Sequence, residues 1–184
     1  AYLEFAYDRL DSAYFPKHGQ AFRAAWRGER ESLGSSGDAD LVEASWLMAR
    51  SHKRYSLVFG LEGGSALDDV VVSPQQLFRL GGFLELSGLP RDALAGTQYG
   101  LVRALGYKRV SRGGTGFFEF PAYLGLSLEA GNAWATRDAV EWSDLEMGGS
   151  LFLGAETPLG PVYLAAGLGE GGVRAFYLLL GRTF

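Results

Sequence analysis

Apolar residues recur at every second position through segment after segment of this chain of 184 residues. Side chains two positions apart lie on the same face of a β-strand, so this spacing gives each segment one apolar face and one different face. Leu124, Leu126 and Leu128, for example, alternate with Gly125 and Ser127. The same alternation is found in residues 22–26, 42–48, 55–61, 145–153, 162–168 and 176–184. The pattern predicts a chain of amphipathic β-strands.

Glycine strengthens the case for strands against helices. Many of the 27 glycines lie inside the periodic segments, and each would cost an α-helix about 1 kcal/mol relative to alanine. No apolar run approaches the roughly 18 residues that a membrane-spanning helix needs. We therefore expect an all-β, antiparallel fold.

The second face of the strands distinguishes a soluble barrel from a membrane barrel. It combines glycine, serine and alanine with charged residues: Arg23, Arg27, Glu43, Glu62, Glu129 and Glu146. The apolar face is wide and almost uncharged. Membrane barrels turn an apolar band toward lipid and a polar face toward the interior, whereas a soluble barrel buries its apolar face. We predict a transmembrane β-barrel domain over residues 1–184, located in the bacterial outer membrane and in contact with its lipids.

Connection lengths alternate along the chain, as in barrels with short periplasmic turns and longer outer loops. The short connections are 16–19, 51–54, 111–114 and 157–160, and the longer ones are 33–40, 67–96 and 135–141. Residues 67–96 are thus predicted to be a long extracellular loop. About eight strands follow from Gln20 onward, and residues 1–19 either add a ninth strand or lie outside the wall. The chain is then either the C-terminal half of a larger barrel or a small closed barrel.

Several function classes are disfavoured. A net charge of −4 leaves no excess of basic residues to replace the counterions of a nucleic acid. The chain has no cysteine, and neither histidine has the setting of a metal ligand. The glycines of Gly167-x-Gly169-x-x-Gly172 precede a strand, not the helix that a dinucleotide site requires. No serine has a histidine nearby to activate it. We expect no catalytic residue, no metal and no cofactor.

Two further expectations concern the barrel interior and its rims. Glu129 and Glu146 are expected to form ion pairs with arginines of the lumen, either Arg23, Arg27 or Arg103. The segment 97–110 has an uncertain phase because Arg103 interrupts its apolar alternation. Aromatic residues near strand ends are typical of membrane-interface girdles, and they are Trp134, Trp142, Tyr55, Phe117, Phe118 and Phe184.

Three motifs follow one another along the chain. The long loop carries Arg79, Leu80, Gly81 and Gly82, followed by Leu86, Ser87 and Gly88; a later strand carries Glu129, Gly131 and Trp134; and the last strand carries Phe176, Leu178, Leu180, Arg182 and Phe184. In this order they resemble the BamA-like superfamily of bacterial surface antigen barrels. That superfamily has an acidic strand motif, which Glu129, Gly131 and Trp134 match, and commonly a basic residue at the position of Arg182. Its assembly factors have a double glycine and then Val-Arg-Gly-Phe in the loop, and residues 7–11 and 15–19 match its turn before a strand. The resemblance covers nearly the whole chain.

The resemblance implies roles for these residues. The last strand is the signal read by the outer-membrane assembly machinery. Ser87 stands where the assembly factors have arginine, so a salt bridge from this position to Glu129 is not expected. Leu-Ser-Gly in this loop is similar to the barrels that follow patatin-like phospholipase domains. On that branch the barrel anchors and helps to export a lipase passenger, and any catalysis resides in an upstream domain.

Other functions remain open from sequence. The chain is alternatively a BamA-like barrel for protein insertion or translocation, a small pore, or a short barrel with no activity of its own. If the sheet stays open, its edge strands expose unpaired backbone groups, and two copies are expected to pair through them.

Overall fold

A computed structural model describes residues 1–30, 38–67, 74–112 and 120–181. Phe117, Phe118, Arg182 and Phe184 therefore lie outside the described residues. The alternating segments all form strands: β1 (Tyr2–Asp8), β2 (Gly19–Glu29), β3 (Ala39–His52), β4 (Tyr55–Ala66), β5 (Phe78–Leu80), β6 (Leu94–Gly96), β7 (Gln98–Arg112), β8 (Pro121–Trp134), β9 (Glu146–Thr157), β10 (Gly160–Gly169) and β11 (Arg174–Leu180).

Nine of these strands form one antiparallel sheet in the order β1-β2-β3-β4-β7-β8-β9-β10-β11, and β5 and β6 form a separate hairpin. The described residues contain three short 3₁₀ turns and no α-helix. Within them, no helix has the length and apolar character to cross a membrane. The prediction of an all-β, antiparallel fold is confirmed.

The wall has one strand more than the eight counted from Gln20. β1 pairs with β2 along its whole length, from Tyr2 opposite Arg27 to Asp8 opposite Ala21. In the described part of the chain, β1 and β11 each have one neighbour, so the sheet is curved but open. With an odd number of antiparallel strands, β1 and β11 run in the same direction.

The register shows which side chains share the outer face. Leu61 lies opposite Val102, Val102 opposite Ala130, and Ala130 opposite Met147. Leu101, Arg103, Leu105 and Tyr107 of β7 point to the other face and are buried. The phase of β7 is thereby resolved: the arginine belongs to the inner face, and Val102 belongs to the outer one.

The outer face is an apolar surface exposed to the surroundings. Its large hydrophobic side chains are Leu57, Leu61, Val102, Leu124, Leu126, Leu128, Met147, Leu151, Leu153, Leu164, Leu168, Phe176, Leu178 and Leu180. Phe176 is 86% exposed and Leu178 78%. A soluble monomer rarely exposes a contiguous apolar patch larger than a few hundred Å², on the order of 300–600 Å² at most. The side chains that a soluble barrel would bury thus lie outside.

The concave inner face is filled near the short turns by aromatic side chains. Phe15 stacks on Tyr123 with 4.2 Å between ring centroids and contacts Tyr107 and Tyr163. The Tyr107 hydroxyl donates to the Pro16 carbonyl. The sequence pattern indicated an inner face of small and charged residues, whereas the structure adds an aromatic core at this end.

Phe15 reaches the core because the β1–β2 connection is longer than expected. It runs from residue 9 to residue 18, whereas the sequence pattern placed only a short turn at 16–19. The Asp11 carboxylate accepts the backbone N–H groups of Lys17 at 2.8 Å and His18 at 3.0 Å. These bonds close the connection and turn its middle inward.

Candidate functional site

The long connection between β4 and β7 enters the concave side of the sheet. Its β5–β6 hairpin carries a tip, residues 83–89, in which Leu84, Leu86 and Ser87 are at most 1% exposed. Gly81, Gly82 and Gly88 have positive φ, a backbone conformation that glycine adopts without a steric penalty. We call residues 83–89 the loop tip. The loop tip is buried on the concave side of the sheet, and we call this arrangement the plug.

Ser87 attaches the loop tip to β8. Its backbone N–H donates to Glu129, and its hydroxyl donates to the other Glu129 oxygen at 3.0 Å. The same hydroxyl oxygen accepts the backbone N–H of Leu84 at 3.1 Å. Glu129 is 2% exposed, so its charge depends on these donors in place of water. The long loop therefore contacts the strand acid through serine, without an arginine.

The expected ion pairs of the lumen differ from those observed. Arg103 forms its salt bridge with Glu62 on β4 and donates to the Leu84 carbonyl at 3.4 Å, while Arg23 pairs with Glu4 of β1 at 3.0 Å. Glu129 instead accepts from Ser87. The sequence interpretation missed this contact because it expected an arginine partner for Glu129 and assigned no hydrogen bond to Ser87.

A second attachment joins the loop tip to the last strand. The Tyr177 hydroxyl accepts the Gly88 N–H at 2.9 Å and donates to the Leu89 carbonyl at 3.1 Å. Tyr177 also packs its ring against Phe83, with 5.8 Å between centroids. The tip thus contacts both β8 and β11, although two strands lie between them in the sheet.

Glycines on the intervening strands leave room for this crossing. A Cβ added to Gly148 of β9 would lie 2.8 Å from the Ser87 carbonyl oxygen and 2.9 Å from its nitrogen. A Cβ on Gly167 of β10 would lie 2.6 Å from the Gly88 nitrogen. All three distances are too short for a real side chain. These glycines were visible in the sequence as part of a small-residue face, but no local signal tied them to the loop.

The remaining predicted site residues lie around this plug. Leu80 is buried in the hairpin, and Arg79 points outward and donates to the Pro74 carbonyl at 3.2 Å. Gly131 lies close to the β7 backbone, where a Cβ would be 3.1 Å from the Leu101 Cα. Trp134 ends β8, and its indole N–H is buried without a hydrogen-bond partner among the described residues.

The predicted assembly signal of the last strand does not belong to the plug. Phe176, Leu178 and Leu180 lie on the outer face of β11 and are strongly exposed. Of the same signal, Arg182 and Phe184 are outside the described residues. The predicted loop and strand motifs thus come together, whereas the terminal motif faces away from them.

Two carboxyl groups in the connections have shifted pKa values. Desolvation, and next the nearby Glu62 carboxylate, raise the pKa of Glu85 in the loop tip. In the β1–β2 connection, partial burial acts to raise the pKa of Asp11, but the N–H groups of His18 and Lys17 outweigh it and hold the pKa below its usual 3.8. The Asp11 charge therefore favours the folded connection.

The contacts of the plug are hydrogen bonds and side-chain packing. Among the described residues no group of three or more His, Asp or Glu side chains is placed to hold a metal ion. The Ser87 hydroxyl is hydrogen-bonded to the Glu129 carboxylate and is buried. These contacts hold the loop tip on the concave side of the sheet.

Comparison with known proteins supports the architecture. No family model and no curated protein matches the sequence. The fold is similar to that of BamA from Haemophilus ducreyi lacking POTRA domains 1–3, with a TM-score of 0.70 over 97% of this chain and 13% sequence identity. The chain spans 40% of the length of that structure. At this identity the likeness is one of fold alone: the antiparallel sheet of this chain is similar to part of the BamA barrel.

Proposed function

We propose that this chain is an integral β-barrel wall of the bacterial outer membrane. The observation that carries the proposal is the outer face, where aliphatic side chains of β4, β7, β8, β9, β10 and β11 are exposed together. The inner face holds the buried polar groups Arg103, Ser127, Glu129 and Ser150. This is the polarity of a membrane barrel, in which apolar residues face lipid.

The strand ends fit the two interfaces of a bilayer. On the outer face, Tyr55 begins β4 at the short-turn side, with the Lys108 ammonium 5.5 Å from its ring centroid. At the opposite side, Trp134 ends β8, and Trp142 is 85% exposed in the following connection. Amphipathic aromatic rings favour the headgroup region. Strands of 12 and 14 residues, β4 and β8, are long enough for the apolar band of about 25 Å that such barrels present.

Refolding from urea tests this proposal. In detergent micelles we expect the chain to regain β-structure and to migrate on a gel faster without boiling than after boiling, as a folded barrel does. In plain buffer the same chain should aggregate, because its outer face has no apolar partner. A folded, soluble species in plain buffer would overturn the proposal.

For the physiological role, we propose that the barrel anchors a patatin-type lipase passenger and helps to export it. The support is the Leu86-Ser87-Gly88 motif, which resembles that branch of the superfamily and whose serine is the residue that contacts Glu129. Catalysis would lie in the passenger. The test is the coding sequence upstream of this chain: a patatin domain in the same reading frame is expected, and a gene without one removes the role.

The similarity of fold to BamA favours a second candidate, a barrel that assists the insertion of other barrel proteins. It predicts that vesicles containing this chain accelerate the folding of an added outer-membrane protein, compared with empty vesicles. A simple pore is disfavoured because Phe15, Phe83 and Tyr163 pack inside the concave side and narrow it. Planar-bilayer recordings of the chain are therefore expected to give no steady current.

A further inference from the structure

We propose that the loop tip is an internal strap that holds the edge strand β11 against β8, and that Tyr177 is its point of attachment on β11. A strap of this kind requires two anchors, one on each side of the strands that it crosses, and free passage between them. The strap consists of contacts inside the sheet, so it requires neither the membrane location nor a passenger.

The two anchors differ in chemistry. On β8, the Glu129 carboxylate accepts two donors from Ser87, and this contact is fully buried. On β11, the Tyr177 hydroxyl both accepts from the Gly88 N–H and donates to the Leu89 carbonyl. Three successive residues of the loop tip are therefore fixed to two strands that are not neighbours.

Glycines on β9 and β10 leave the space through which the loop tip crosses between the two anchors. Gly148 and Gly167 lie directly beneath Ser87 and Gly88, and Gly88 itself has φ +103° and contacts the backbone of Gly169. Any Cβ at these positions would displace the loop backbone. The crossing is therefore built into β9 and β10 as well as into the loop.

β11 is the strand that needs such support. Its only partner among the described strands is β10. Arg174, Phe176 and Leu178 point away from the concave side, and β11 buries few apolar side chains. An edge strand held by one ladder opens more easily than a central one. The strap adds contacts from the concave side, through Tyr177, that do not depend on a strand beyond the edge.

Hydrogen exchange of the micelle-bound chain tests the inference. Tyr177→Phe keeps the ring and removes only the two hydroxyl bonds, which are worth one or two kcal/mol, so we expect the Ala175, Tyr177 and Leu179 amides to exchange about 5 to 30 times faster. Amides in β3 and β4 should change less than about twofold, within ordinary variation. The matched control is Tyr163→Phe, which removes an inward hydroxyl on β10 that donates to the Tyr14 carbonyl at 3.2 Å.

A double-mutant cycle tests the connection between the two anchors. Ser87→Ala removes the hydroxyl bond and keeps the N–H bond to Glu129, so it weakens this anchor and should also speed exchange in β11. The double variant Ser87→Ala/Tyr177→Phe should show less than the product of the two single effects, since one weakened anchor already loosens the strap. Unchanged exchange in β11, equal acceleration in all strands, or fully independent effects would each overturn the inference.

Glycine substitution supplies a second test that leaves the anchoring side chains Ser87, Glu129 and Tyr177 unchanged. Gly148→Ala puts a methyl group under Ser87 and should loosen β11 as Tyr177→Phe does. Gly106→Ala is the control, because a Cβ there meets only the Leu57 methyl at 3.9 Å, an ordinary contact. Equal exchange rates in β11 of these two alanine variants would contradict the strap.

Discussion

At the scale of residues, the buried Glu129 carboxylate accepts its hydrogen bonds from Ser87, in a loop far away in the sequence. Glu129 is predicted from the sequence as the acidic residue of a strand motif, and its buried position on the inner face agrees with the period-two pattern. Its partner was not predictable in the same way. Ser87 is 42 residues away, and only the folding of the loop into the concave side brings its N–H to the carboxylate.

Substitution at Glu129 tests that contact. Glu129→Ala leaves the Ser87 donors buried without an acceptor, and we expect a loss of about 1–3 kcal/mol in the free energy of unfolding. Glu129→Gln retains one acceptor oxygen and should lose less. Urea titration in micelles measures both values. If the alanine variant proves as stable as the unsubstituted chain, Glu129 does not hold the loop.

The Asp11 carboxylate gives a pH-dependent prediction. Its pKa is lowered in the folded connection, so its stabilising contribution is present above the ordinary value of 3.8 and is lost as the pH falls through the lower folded value. Asp11→Ala should therefore be less stable than the unsubstituted chain at pH 6, and the difference should shrink below pH about 3.8. Asp138→Ala, in an exposed turn, is the control. A difference that is the same at both pH values would exclude the charge as its cause.

At the scale of elements, the alternation of side chains predicts the strands, whereas contacts between residues far apart in sequence determine the paths of the connections. All alternating segments are strands because a period of two suits only that geometry. The β1–β2 connection is longer than the sequence pattern predicts. Phe15 lies in a segment rich in turn-forming residues, and no local pattern marks it as a core residue. Residues 67–96 are the longest connection, as the sequence pattern predicts, but the inward path of the loop tip depends on small residues of two other strands, Gly148 of β9 and Gly167 of β10.

Phe15→Ala tests the contribution of the β1–β2 connection. Phe15 is 1% exposed and touches three tyrosine rings, so truncation is expected to cost about 3–5 kcal/mol, as for other fully buried phenylalanines. Tyr14→Ala, at a partly exposed neighbouring position, should cost far less. Both are compared by urea titration in the same micelles. Similar losses in the two variants would show that Phe15 is not a core residue.

At the scale of the whole molecule, the open sheet leaves two edges to be covered. Backbone hydrogen bonds alternate along an antiparallel pair, and Arg9 and Gly28 mark the bonded positions of β1 and β2. The backbone groups of Tyr2, Glu4, Ala6 and Asp8 therefore point away from β2. In hydrocarbon, unpaired groups of this kind are too costly to persist, so a membrane-embedded sheet has a partner at each edge.

Cysteine crosslinking identifies that partner when the chain is studied alone. The sequence has no native cysteine, so Phe5→Cys on β1 and Phe176→Cys on β11 are the only thiols. Because β1 and β11 are not paired with each other in the sheet, we expect two copies to pair at their edges, with β1 of one copy beside β11 of the other. Mixed single variants should then give a crosslinked dimer. A fast-migrating crosslinked monomer from the double variant, with no dimer, would show closure within the chain.

The orientation of the outer face toward lipid is tested most directly by thiol accessibility in phospholipid vesicles. Single cysteines at Leu126, Leu151 and Leu164 lie in the middle of the outer face, and cysteines at Trp142 and Leu159 lie in the connections. The account predicts that a water-soluble maleimide labels the connection cysteines rapidly and the outer-face cysteines hardly at all, until detergent and urea unfold the chain. Outer-face cysteines that react as fast as the one at Leu159 in intact vesicles would contradict it.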